Sequence, residues 1–106
     1  MIKKLNMYKH DHSLFDNLNE MKMFCRIFSN IEQLKCSINQ PQYILFLLCR
    51  LSKLSTMYVY LSSISDRNYF RYSLEKAADT LKFIFCVKDL YGDAAELFIW
   101  IDENLE

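Results

Sequence analysis

The chain has 106 residues, 52% of them hydrophobic and 25% charged, with 13 basic and 13 acidic side chains and no net charge. That balance excludes a disordered chain, and the length suits one domain with a single core rather than two. With one Gly and one Pro, the sequence has little of the turn chemistry that an all-β domain consumes.

The charges are unevenly placed. All 13 Lys and Arg lie within residues 1–88, against seven acids there, whereas residues 89–106 carry six acids and no base. A uniformly cationic surface for nucleic acid is thereby disfavoured. The acidic end could dock on the basic start of the chain, or both ends could simply be solvated.

Taken in chain order, residues 1–12 ("MIKKLNMYKHDH") show no sustained period and read as a flexible N-terminal arm. The single helical domain is expected over 13–106. Ser13 with Asp16 resembles a capping box, and Leu14, Leu18, Met21, Cys25 and Phe28 recur at helical steps. A second S-x-x-E pair, Ser29 and Glu32, places a kink near residue 30, so the first helix spans about 13–38. "NQPQ" breaks the chain, because proline is tolerated only in a helix's first turn, and a second helix follows over 40–64. Ser65 or Asp66 caps a third over 66–91, stopped by Gly92, and a short fourth covers 93–105. The stretch around "YGDAAE" reads as a generic helical hairpin, with no second copy to make it a tetratricopeptide repeat. The expected fold is therefore all-α, a small bundle of four main helices.

The stretch "YILFLLCRLSKLSTMYVYLSSI" is long enough to span a bilayer, but Arg50 and Lys53 sit in its middle. Each costs roughly 2.5–3.5 kcal/mol at mid-membrane, so the segment reads as a core helix and not an anchor. On its helical wheel Phe46, Arg50, Lys53, Met57 and Tyr60 share one face, mixing rings, a thioether and two cations. Neighbouring helices could cover that face. Alternatively it is a contact surface for another protein, since these residue types are enriched at interfaces. Ile99 and Trp100, off the apolar stripe of the last helix, form a second candidate contact.

Little points to catalysis. Cys25, Cys36, Cys49 and Cys86 contain no C-x-x-C pair and read as reduced, buried thiols. His10, Asp11 and His12 lie in the arm, where a metal would lack pre-set ligands, so no metal or cofactor is expected. A single Gly rules out a glycine-rich phosphate loop. Arg67, Arg71 and Lys76, interleaved with Tyr69, Phe70 and Tyr72, could bind nucleic acid, but Asp66 and Glu75 dilute their charge.

The expectation is a non-enzymatic, cytoplasmic interaction module that binds one protein partner, with a second copy of itself (a homodimer) as the simplest case. An adaptor or assembly subunit, an inhibitor or immunity protein, and a chaperone all fit; a small helical nucleic-acid-binding regulator is the alternative. Residue usage rich in Ile, Lys, Asn and Tyr fits an AT-rich genome and a phage or bacterial accessory protein.

Overall fold

A computed structural model describes residues 3–8, 13, 15–62 and 64–101. The elements run β1 (Lys4–Asn6), α1 (Leu18–Ile27), β2 (Gln33–Ile38), α2 (Gln42–Arg50), β3 (Thr56–Leu61), α3 (Arg67–Leu81), β4 (Phe83–Asp89) and β5 (Ala95–Ile101). They build one five-stranded sheet in the order β1-β2-β3-β5-β4. β1, β2 and β3 are parallel, whereas β5 runs antiparallel to both β3 and β4. Of the described residues 37% are helical and 31% strand, an α/β fold and not the expected all-α bundle.

Each correction has a local cause. Asn17, not Ser13, caps α1: its side chain accepts from the Glu20 N–H at 2.9 Å, and the Glu20 carboxylate accepts from the Asp16 N–H at 2.8 Å. The break expected as a kink near residue 30 is a full stop. Beyond it, Leu34, Cys36 and Ile38 alternate inward along a strand instead of continuing a helix.

α2 follows the expected break but starts at Gln42, two residues later than expected, with Pro41 at the cap and no side-chain cap bond. It ends at Arg50 rather than at residue 64, because "TMYVYL" is a run of aromatic and β-branched residues that packs better on a pleated surface. Its burial alternates strictly, with Met57, Val59 and Leu61 inside and Thr56, Tyr58 and Tyr60 half-buried on the other side. Arg50, Ser52 and Lys53 leave the interior with the helix end and the turn after it, so neither of these cations is buried.

α3 starts where expected, with the Asp66 carboxylate accepting from the Tyr69 N–H at 3.0 Å. It stops at Leu81, ten residues early, when Lys82 takes a left-handed conformation (φ 60°) and turns the chain into β4. Gly92 (φ 76°) is not a helix stop but the tip of the β4–β5 hairpin, where its missing Cβ permits the positive φ. In place of the helix expected over 93–105 the chain forms β5 as far as Ile101, and 102–105 lie outside the described residues.

All three helices lie on one face of the sheet. Parallel crossovers in one direction and of one hand place their helices on the same side. Met21 and Phe24 of α1, Ile44 and Leu47 of α2, and Phe70 and Leu74 of α3 close over Met57, Val59, Leu97 and Ile99 in one core. No helix among the described residues is long and apolar enough to cross a membrane.

Candidate functional site

Among the described residues, no helix covers the opposite face of the sheet. Side chains alternate across a strand, so every second residue of β2, β3, β4 and β5 points there. On β3 these are Thr56, Tyr58 and Tyr60; on β5, Glu96, Phe98 and Trp100. Register aligns them into cross-strand rows: Tyr60 stands opposite Glu96, Tyr58 opposite Phe98 and Thr56 opposite Trp100. Gln33, Lys35 and Ser37 extend the rows on β2, and Ile84, Cys86 and Lys88 on β4.

The centre of this face is a connected set of rings. Tyr58 meets Phe98 edge-on at 5.0 Å, and Phe98 stacks on Trp100 at 6.1 Å with 16° between their planes. Tyr8, just past β1, folds back edge-on against Tyr58 and Tyr60 at 6.3 and 5.9 Å. The Lys35 ammonium sits over the rings of Tyr8 and Tyr58, 5.5 and 5.0 Å from their centroids, where ring quadrupoles attract a cation. Trp100 remains 45% exposed and Tyr8 36%. Lys4, Asn6, Lys35, Tyr58 and Trp100 border a shallow trough of about 340 Å3 on this face.

Burial, the neighbouring Glu96 carboxylate and the other tyrosines push the Tyr58 hydroxyl up to about 12. Its hydrogen bond to Glu96 favours the neutral phenol in the same sense. Burial alone takes the Cys36 thiol, on the helix side, from 9.0 to about 12. Both groups hold their protons more tightly folded than unfolded, so their contribution is intact below the unfolded values and lost as pH climbs toward 12. Melting temperature should therefore fall between about pH 9 and 12, and less steeply in a Tyr58→Phe variant.

The expected contact residues are distributed over three places. Tyr60 and Trp100 do share a surface, the open face. Phe46 and Arg50 stay together on α2, the guanidinium 4.9 Å over the ring, and Lys53 lies exposed in the following turn. Met57 and Ile99 face the core, paired with each other across β3 and β5 and 2% and 1% exposed. Tyr8, Lys35, Tyr58 and Phe98 were missed. The signal for two of them, Tyr58 and Phe98, was alternation, since "YVY" and "FIW" put a ring at every second position, the period of a strand.

The α3 cations have structural partners. Arg67 donates to the Asp89 carboxylate at 2.6 Å and to the carbonyls of Gly92 and Ala94, and Arg71 reaches Asp89 at 3.5 Å. Lys76 lies 4.8 Å from the centroid of Tyr72. His10, Asp11 and His12 lie outside the described residues; among those described, no cluster of three His, Cys, Asp or Glu could hold a metal.

No protein-family model matches this chain, and no curated protein or solved structure is similar to it. Its function has to be read from its own surfaces. A second crevice, of about 450 Å3, lies between the starts of α2 and α3, bordered by Asn39, Gln42, Ser65, Asp66 and Tyr69. It brings together amides and hydroxyls without a nucleophile–base pair.

Of the thiols expected to be buried, Cys25 and Cys36 are, while Cys49 and Cys86 are exposed. Burial also raises the Cys25 thiol, with nearby Arg50 partly offsetting it. In dilute solution an aromatic disulfide reagent should label Cys49 and Cys86 at once and reach Cys25 and Cys36 only on unfolding. Four fast thiols would contradict this packing.

Proposed function

We propose that the protein is a non-enzymatic binding module that docks one protein partner on the open face of its sheet. The observation that carries this reading is the ring cluster Tyr8–Tyr58–Tyr60–Phe98–Trp100, covered by no helix among the described residues and rimmed by Lys4, Lys35 and Lys88. Tyr, Phe and Trp are the residues enriched at the buried centre of protein interfaces, because they offer large rigid area for little lost side-chain entropy. The rim of ammonium groups suits a partner that surrounds its own apolar contact with carboxylates.

Single-stranded nucleic acid is less well served. Base stacking needs free ring faces. Here the tyrosines meet their neighbours edge-on, Lys35 occupies the faces of Tyr8 and Tyr58, and Phe98 and Trp100 stack on each other. The α3 cations Arg67 and Arg71, the other basis for that reading, are spent on Asp89.

Trp100 is the sole tryptophan, so its emission reports directly on this face. The protein captured from lysate by the intact chain, once purified, should shift that emission to the blue. A Tyr8→Ser, Trp100→Ser double variant, folded by circular dichroism, should fail to retain it. Retention by the variant overturns the reading, and so does an emission change produced instead by a single-stranded oligonucleotide.

A further inference from the structure

The two edges of the sheet are built differently. β1 is three residues long and includes Lys4, the short charged kind of edge that discourages further pairing. β4 is seven residues long, and its first five, "FIFCV", carry no charge and no proline. Strands of this composition, left open, pair with other chains. On the helix side of β4, Phe85 and Val87 are only half-buried, where Val59, Leu61 and Leu97 of the inner strands are fully buried. Among the described residues, nothing covers the β4 edge as its neighbours are covered.

The hydrogen-bonding pattern says what that edge offers. The Leu90 N–H donates to the Ala94 carbonyl at 3.0 Å, making these two a hydrogen-bonded pair at the hairpin end. Such pairs alternate along an antiparallel ladder, so Lys88, Cys86 and Ile84 bond to β5 through Glu96, Phe98 and Trp100. Phe83, Phe85, Val87 and Asp89 consequently turn their N–H and C=O groups outward, to the free edge.

We infer that this edge pairs antiparallel with the β4 edge of a second copy of the chain, about a two-fold axis through Cys86. Among registers that keep the open faces on one side, only the one centred on Cys86 uses all seven residues. Phe85 then bonds with the partner's Val87 and Phe83 with the partner's Asp89, so each outward group meets one of the same set. Lys82 of one copy comes beside Asp89 of the other at both ends. The product is a continuous ten-stranded sheet whose open faces join into one surface, the Ile84–Cys86–Lys88 rows of both copies lying between the two ring clusters. The inference rests on β4 alone and not on what docks against the rings.

The register makes two side-chain pairings that can be tested. Cys86 meets its own copy as a non-hydrogen-bonded pair, with Cα atoms about 4.5 Å apart, inside the range a disulfide spans. Ile84, 57% exposed on the open face, stands opposite Lys88 of the other copy. Sedimentation equilibrium on the full chain should give a dimer. The azo oxidant diamide, taking up the two thiol hydrogens as the S–S bond forms, should link that dimer through Cys86, with Cys86→Ser abolishing the product and Cys49→Ser leaving it. Ile84→Lys sets like charges opposite each other twice and should weaken the dimer roughly tenfold, while Ile84→Lys with Lys88→Glu restores it. A monomer at every concentration up to the millimolar range overturns the inference. So does a dimer in the intact chain that Cys86 does not cross-link. Loss of partner capture in the Tyr8→Ser, Trp100→Ser variant with the dimer intact would leave this inference standing, since those changes spare β4.

Discussion

Truncating Ile99 to Ala should destabilise the protein by ~2–5 kcal/mol, the usual range for emptying a packed aliphatic site, whereas Trp100→Ala, one residue along, should cost much less. The two side chains leave the same strand in opposite directions. Ile99 is 1% exposed, opposite Met57 on one side and Phe85 on the other, in the layer between the sheet and the helices. The cavity it leaves is hemmed by backbone on two flanks and cannot collapse easily. Trp100 keeps nearly half its surface in water and loses mainly its stacking on Phe98. Denaturant midpoints of the two variants read out the difference. Equal losses would mean that β5 does not alternate.

Replacing Arg67 with Ala should cost about 1–3 kcal/mol, the range for charge-assisted hydrogen bonds discounted for partial exposure, and should loosen the β4–β5 hairpin first. Its guanidinium, from the first turn of α3, holds the Asp89 carboxylate at the end of β4 and the carbonyls of Gly92 and Ala94 beyond it. Three acceptors on one short loop are gathered by one planar fork. Lysine, a point charge on a flexible stem, cannot reproduce that geometry, so Arg67→Lys should recover only a minor part of the loss. Amide exchange at residues 89–94 is the readout, and faster exchange confined to that loop is the expected pattern. Unchanged exchange there with global destabilisation would contradict the clamp.

These two residues also show what the sequence could and could not convey. Asp66 as the cap of α3 and the break around Pro41 were legible, because capping and proline chemistry are local. The stop of α1 was visible only as a kink, for Ser29 and Glu32 mimic a fresh capping box although Glu32 in fact faces Lys3 across to β1. What misled was the open face itself. A strand with one wet face alternates polar and apolar, but "TMYVYL" and "LFIWI" place rings on the exposed side, so their hydrophobicity runs unbroken and fits a helix wheel as well as a pleat. Scarcity of glycine reinforced the error. Lys82 takes a left-handed turn that glycine normally supplies, and Gly92 alone serves the hairpin. The same rings that hid the strands form the candidate site, so Tyr60 and Trp100 were singled out while their partners Tyr58 and Phe98 were not.

The position of β5 has a consequence for synthesis. The last strand among the described residues is the fourth in the sheet, wedged between β3 and β4, which make no ladder with each other. β3 is complete at Leu61, yet its permanent neighbour ends only at Ile101. At roughly 5–20 residues per second, a ribosome needs ~2–8 s to cover that interval. Through it the nascent chain carries Val59 and Tyr58 on a bare parallel edge, with β4 waiting for the same missing strand. Stalled chains ending before residue 95 should therefore be the aggregation-prone species, which pelleting of ribosome-released fragments would show.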